Sequence, residues 1–151
     1  MPNAKLDPYF REVSLAAMRF QHIEECLKMC LANCFGIIRL GLNGKVAFNL
    51  TYKDVENLPL GPLINEFKKY TTNSVLLKNL RGLPKKRNYI AHNAYLLTVD
   101  EQHNSEAITK EIKKVAEISR QARQVLQELF EESRGIEEFR TRLQNTKSGK
   151  G

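Results

Sequence analysis

The sequence predicts an all-α fold, an up-and-down bundle of about four to five helices. Apolar residues recur at helical spacing in two long segments, one toward each end of the chain, and nearly every long segment between them also favours helix. With 151 residues, 42% of them apolar, the chain has the size of one ordinary domain. We therefore expect a single helical domain over residues 1–144, followed by a disordered basic tail at residues 145–151.

The first helix is predicted from Asp7 to about Phe35. Asp7 suits the capping position and Pro8 the first helical position. Apolar residues at helical spacing follow: Phe10, Val13, Ala17, Phe20, Ile23, Leu27 and Leu31. A second side of this helix carries a histidine and three cysteines spaced four residues apart: His22, Cys26, Cys30 and Cys34. Residues eight apart lie about 12 Å apart along the axis, so we interpret the thiols as a packed seam rather than a metal site.

The glycines of the next stretch predict a long connection from Gly36 to Leu60, which leaves room for a short extended piece around Val46 to Leu50. Two short helices are predicted to follow, from Pro62 to Tyr70 and from Ser74 to about Arg81. Their apolar residues are Leu63, Ile64, Phe67, Val75, Leu76, Leu77 and Leu80.

Two further helices complete the predicted bundle. Pro84 suits the first position of a helix that we expect to run to about Thr98. The last helix is predicted to begin near residues 104–105 and to reach at least Phe130, with Gly135 ending or kinking it. Its apolar residues at helical spacing are Ile108, Ile112, Val115, Ile118, Ala122, Val125 and Leu129.

The charge predicts an anionic partner. The net charge is +7 and the isoelectric point is near 9.4, which suits nucleic acid, an acidic membrane face or an acidic protein. No apolar run approaches the length of a membrane span, and no basic segment followed by an apolar block opens the chain. Three closely spaced cysteines suit a reducing compartment, so we expect a cytoplasmic protein without disulfides that does not contact a membrane.

The most distinctive motif is Arg87-Asn88-Tyr89-Ile90-Ala91-His92, in which four residues separate the arginine from the histidine. Four cations precede it without an intervening acidic residue: Lys78, Arg81, Lys85 and Lys86. This local charge attracts polyanions, so the motif predicts a phosphodiester substrate. On a helical wheel of about 100° per residue, Ile90, Ala94 and Leu97 lie opposite Asn88, His92 and Tyr95. His92 is therefore expected to point away from the core.

The position of the cations on this helix suggests a phosphate site. Lys85, Lys86 and Arg87 are expected in the first turn, where the helix dipole disfavours cations unless a bound phosphate reverses the effect. Arg87 and His92 would lie about 140° apart around a regular helix, so they converge on one ligand more easily across two chains. The alternative is that the lysines are solvated and Arg87 pairs with a carboxylate such as Glu24 or Glu25.

These residue types can cleave RNA without a metal or another cofactor. His92 can accept the 2′-hydroxyl proton or protonate the leaving 5′-oxygen, because an imidazole exchanges protons near neutral pH. Arg87 can hold the pentacovalent phosphate, and Asn88 can orient the imidazole or bind a phosphate oxygen. The motif contains one histidine, so a full acid and base set requires His92 from both chains of a homodimer. Tyr95, on the His92 side, is a candidate for stacking on a base.

The motif resembles that of the HEPN superfamily, small α-helical bundles in which an arginine and a histidine are separated by four to six residues. Arg87, the polar Asn88 and His92 match it, and the detailed resemblance covers Lys85 to Leu96. The resemblance implies an RNA-cutting toxin or antiviral effector that works as a homodimer, with the motif helices of two chains lining one cleft. The resemblance also implies an antitoxin or regulatory protein as a possible further partner.

Two other functions remain open. The chain could be a non-catalytic helical module that binds RNA or a nucleotide through the same basic residues. It could also be a helical protein-interaction domain whose long terminal helices dock a partner, with the basic residues serving solubility.

Overall fold

The computed structural model describes residues 4–94 and 104–149. This part of the chain is an all-α helical bundle, as predicted, and contains no strand. Its helices are α1 (Leu6–Leu42), α2 (Leu60–Phe67), α3 (Ser74–Arg81), α4 (Leu83–Asn88) and α5 (Ser105–Ser148). A 3₁₀ turn lies at Tyr52–Asp54 and a π-helical turn, called the π turn below, at Tyr89–Asn93.

The described residues form two compact units. The first unit takes the residues up to Ile23 and those from Asn79 to Leu126; the second takes those from Glu24 to Lys78 and from Gln127 onward. The boundaries fall within α1, α3 and α5. Among the described residues, no helix combines the length and the apolar character that crossing a membrane requires.

The core of the first unit differs from the predicted apolar stripe at the start of α1. Tyr9 and Ala16 are buried, whereas Phe10 and Ala17, which the sequence favoured, are only half-buried. Tyr9 can be buried because its hydroxyl donates a hydrogen bond to the backbone carbonyl of Ala94. Other buried residues of this unit are Val13, Phe20, Ile23, Leu80, Leu83, Ile90, Ile108, Val115, Ala122 and Val125.

In the second unit, α1 continues past Gly36, where the sequence predicted its end. The Arg140 guanidinium takes the space of the missing side chain, since a Cβ on Gly36 would lie 2.5 Å from Arg140 Cζ. Arg140 Nη1 also donates to Asn33 Oδ1 at 2.9 Å. The helix instead ends at Leu42, where Asn43 and Gly44 have φ angles of 55° and 76°, the left-handed conformation that commonly terminates a helix.

The connection and the two short helices follow the prediction with adjusted bounds. No strand forms at residues 46–50; Arg39 Nη1 instead donates to the Leu50 carbonyl at 2.6 Å. α2 begins at Leu60 and ends at Phe67 rather than running from Pro62 to Tyr70, and its buried residues are Leu60, Leu63, Ile64 and Phe67. α3 has the predicted bounds, and Asn73 Oδ1 caps it by accepting from the Leu76 amide at 3.0 Å.

The cysteines of α1 form the packed seam that the sequence predicted. Cys26 and Cys30 are buried and Cys34 is half-buried, and all three are free thiols. His22 does not belong to the seam, because its side chain is exposed. The described residues contain no group of three or more histidine, cysteine, aspartate or glutamate side chains arranged to hold a metal ion.

α5 is longer and less interrupted than predicted. Asn104 Oδ1 caps its start by accepting from the amides of Glu106 at 3.1 Å and Ala107 at 3.2 Å. The helix then passes through Gly135 without ending and reaches Ser148. Residues 145–148, which the sequence assigned to the tail, belong to α5, and the Lys147 ammonium donates to the Leu40 carbonyl in α1.

Candidate functional site

The motif lies on a nearly continuous helical segment of the first unit. Gly82 has φ −80° and ψ −11°, so the backbone passes from α3 to α4 through one residue of right-handed helical conformation. Four residues of this segment are exposed at spacings of four, three and four, which places them along one side. They are Arg81, Lys85, Asn88 and His92, and we call them the polar stripe. No acidic residue occurs between Lys78 and Ala94.

The opposite side of the segment packs into the core. Leu83, Ile90 and Ala94 are each about 1% exposed. The wheel that placed Ile90 and Ala94 opposite Asn88 and His92 is therefore confirmed, and His92 points away from the core as expected. Tyr95 and Leu97, which the wheel placed on opposite sides of this helix, lie outside the described residues.

The π turn changes the angle between Arg87 and His92. The Ala94 amide donates to the Tyr89 carbonyl at 3.0 Å, a hydrogen bond that spans five residues rather than four. Such a turn is wider than an α-helical turn, so each residue advances by a smaller angle around the axis. Arg87 and His92 are consequently closer in direction than the 140° expected of a regular helix. π turns are rare and occur frequently at functional sites.

Contacts from α1 and α5 hold the π turn at both ends. The buried hydroxyl of Tyr9 donates to the carbonyl of Ala94, which closes the turn. The hydroxyl of Tyr89, which opens it, donates to the Glu111 carboxylate, and the Lys114 ammonium lies 3.9 Å from the centroid of the Tyr89 ring. Tyr89 is thus a packing residue. No local pattern in the sequence points to Tyr9 or Glu111, because these contacts join distant parts of the chain.

Replacing Tyr9 by phenylalanine is expected to destabilise the protein by about 1–3 kcal/mol, because it leaves the buried Ala94 carbonyl without its hydroxyl donor. The Ala94 amide should also exchange faster with solvent, since the turn that it closes loses its support. The matched control is Tyr52→Phe, whose hydroxyl donates to Glu25 at 3.1 Å on the surface, where water replaces it. Urea unfolding and hydrogen exchange measure both effects; equal losses in the two variants would contradict the assignment.

The basic residues of the motif divide into two groups. Arg81 and Lys85 are exposed on the polar stripe, and Arg87 beside them is half-buried. Lys86 lies apart from the stripe, because its side chain is half-buried and its ammonium donates to the Gln121 amide oxygen on α5. Lys78 belongs to the second unit. Of the predicted catalytic and phosphate-binding residues, the structure therefore brings together Arg81, Lys85, Asn88 and His92, with Arg87 adjacent.

The phosphate site expected at the start of the motif helix is not formed as predicted. Lys85, Lys86 and Arg87 lie in the middle of the nearly continuous helical segment rather than in a first turn, because the helical residue Gly82 links α4 directly to α3 and the π turn follows Asn88. The helix dipole acts on the first and last turns, so the electrostatic cost inferred from the sequence does not apply. Phosphate recognition at this site would thus depend on side chains.

Glu25 and Glu117 each accept hydrogen bonds from a basic side chain. Glu25, which the sequence offered as a partner for Arg87, accepts from Lys28 Nζ at 2.9 Å and from the Tyr52 hydroxyl. On α5, the bidentate hydrogen bonds from Arg120, at 2.7 and 2.9 Å, lower the pKa of Glu117, and the charge of Lys86 adds to that effect. The polar stripe itself carries positive and neutral groups only, which suits an anionic ligand.

The polar stripe supplies one group for proton transfer and several for binding an anion. The His92 imidazole can exchange a proton, the Asn88 amide can donate or accept a hydrogen bond, and the cations can contact phosphate oxygens. The chain matches no protein-family model, and neither a curated protein nor a solved structure shows detectable similarity to it.

Proposed function

We propose that the protein is a metal-independent endoribonuclease of the HEPN kind, acting as a toxin or antiviral effector in the cytoplasm. The observation that carries this proposal is the exposure of His92 on the polar stripe, and the π turn between Arg87 and His92 supports it. The absence of acidic residues from residues 78–94 and the net charge of +7 support an RNA substrate.

In the proposed reaction, His92 removes the proton of a 2′-hydroxyl and the 2′-oxygen attacks the adjacent phosphorus. The bond from phosphorus to the 5′-oxygen breaks, and a second acid protonates that oxygen. Arg87 stabilises the charge of the pentacovalent intermediate, and Asn88 binds a phosphate oxygen or orients the imidazole. The products are a 2′,3′-cyclic phosphate and a 5′-hydroxyl. His92 is the one histidine of the polar stripe, so the proposed acid is His92 of a second chain.

The proposed homodimer predicts the activity of dimers that contain one wild-type chain and one variant chain. If one cleft needs His92 from both chains, a dimer of one wild-type chain and one His92→Ala chain is inactive. Cleavage should then fall with the square of the wild-type fraction when the two proteins are refolded together at constant total concentration. The control is a mixture with His22→Ala, which replaces another exposed histidine and should leave the rate unchanged. A linear fall with the wild-type fraction would show that each chain cleaves by itself.

Replacing Lys85 by glutamine is expected to weaken RNA binding and to reduce the slope of log affinity against log salt by about 0.7–1, because one fewer counterion is released. The matched control is Arg123→Gln, which removes one exposed cation from α5. Arg123 lies about 160° around α5 from Gln121, the residue that contacts Lys86, so its loss should leave the slope unchanged. Fluorescence anisotropy with a labelled single strand measures both. Equal slopes for wild type and Lys85→Gln would remove Lys85 from the RNA surface.

The direct test incubates the purified protein with end-labelled RNA in excess chelator and identifies the ends of the fragments. Cleavage that leaves 2′,3′-cyclic phosphate supports the nuclease.

The second candidate function is a non-catalytic RNA-binding module. The observation that favours it is that the polar stripe of one chain offers a single group for proton transfer. Salt-dependent binding without cleavage would support that module, and neither binding nor cleavage would contradict both functions.

A further inference from the structure

The second unit contains a cavity that the proposed nuclease does not use. Its volume is about 550 Å³, within the range of small-molecule sites. α1 contributes Ile37 and Ile38 to its wall, and α5 contributes Ile136 and Phe139. The Phe139 ring is 46% exposed although it is large and apolar. Covering apolar surface of this kind with a ligand lowers the free energy of the system.

Gly135 opens the cavity wall on α5. It lies inside a 44-residue helix, where glycine is disfavoured relative to alanine because its backbone loses more freedom on folding. Close packing does not explain the choice, since a Cβ on Gly135 would have no atom within 4 Å. The residue therefore leaves space in the wall and lets a ligand approach the helix backbone.

Two carboxylates give the cavity a negative charge. Glu131 and Glu132 line it from α5, and Glu132 Oε2 accepts a hydrogen bond from the neutral Asn73 side chain at 3.0 Å. The cation of the lining, Lys69, is bound to Glu66 at 2.8 Å. Burial and the charge of Glu132 together raise the pKa of the Cys34 thiol to about 11, so this negative charge acts on the cavity wall.

We propose that the cavity binds an organic amine whose apolar body contacts Ile37 and Ile136 and whose protonated nitrogen pairs with Glu131 and Glu132. Salt screens charges beyond about 8 Å at physiological ionic strength, so cations far from the cavity contribute little here, and the charged groups of the lining itself are Glu131, Glu132 and Lys69, which is paired with Glu66. The Phe139 ring adds an aromatic face, which attracts cations, and a bound ammonium would compete for it with the Arg142 guanidinium, 6.0 Å from the ring centroid. This site is independent of the proposed nuclease.

Three probes with one apolar body and different head groups test the charge: phenylbutylamine, phenylbutanol and phenylbutyrate. Binding is followed by the methyl NMR signals of Ile37, Ile38 and Ile136 and by calorimetry. The amine is expected to shift these signals and to bind about tenfold more tightly than the carboxylate, with the alcohol between them. Equal or tighter binding of the carboxylate, or no shift at millimolar amine, would overturn the proposal.

Variants test the position of the ligand. Gly135→Leu should fill the cavity and abolish binding of the amine, whereas Gly135→Ala adds only a methyl group and should retain most of it. The double variant Glu131→Gln, Glu132→Gln should bind amine and alcohol with equal affinity, because only the charge is lost. Circular dichroism verifies that each variant is folded. Unchanged amine binding by folded Gly135→Leu, or an unchanged preference for the amine in the double variant, would place the probe elsewhere and overturn the proposal.

Discussion

Replacing His92 by alanine is expected to slow RNA cleavage by about 10²- to 10⁴-fold, the range that a positioned general acid or base contributes. The His92 side chain is exposed and has no packing role visible in its burial, so the variant should fold normally. The loss should therefore appear in the rate of the chemical step, measured in single turnovers with saturating protein, while RNA affinity changes little.

The matched control for this prediction is His22→Ala. Both histidines are exposed and belong to the first unit, but His22 lies on α1 and outside the motif. The His22→Ala variant should cleave RNA at the wild-type rate. Equal RNA cleavage by His92→Ala and wild type would remove His92 from the mechanism. If that cleavage disappears from both preparations on further purification, its source is a contaminating nuclease.

Replacing Ile90 by alanine is expected to lower the free energy of unfolding by about 2–5 kcal/mol. Ile90 is 1% exposed and lies within the π turn, on the side opposite His92. Its truncation removes buried apolar contacts and leaves a cavity that the surrounding helices fill only in part. Urea unfolding at constant temperature measures the change.

Val75→Ala is the control for Ile90→Ala. Val75 is also β-branched but is 67% exposed on α3, so its truncation should change the free energy of unfolding by less than about 0.5 kcal/mol. A loss at Ile90 no greater than the loss at Val75 would show that the motif segment does not pack as described.

Periodicity predicted the elements of the fold, and long-range contacts decided where they end. The bounds of α3 and the buried residues of α2 follow from local pattern and capping groups. The end of α1 was predicted too early, at Gly36. The space that this glycine leaves is occupied by the side chain of Arg140, more than a hundred positions later in the chain. The α5 helix likewise passes Gly135, because a long helix with extensive buried contacts tolerates one unfavourable residue.

For the candidate site, as for the fold, the sequence predicted local positions but not the contacts between helices. A helical wheel is enough to place His92 and Asn88 opposite Ile90. It could not give the π turn, whose support is the hydroxyl of Tyr9, or the partner of Lys86, which is Gln121 on α5. Each of these depends on a side chain from another helix, and the spacing of residues within the motif contains no information about it.

The π turn also affects how spacing in a sequence should be compared between chains. Residues four apart share a side of an α-helix, whereas residues five apart come close to doing so where the backbone hydrogen bond spans five residues, as from Ala94 to Tyr89. An insertion of one residue between an arginine and a histidine is thus absorbed by a change of helix type. Chains that differ by one residue in this interval can present the same surface, so a search with one fixed interval would separate proteins that share a geometry.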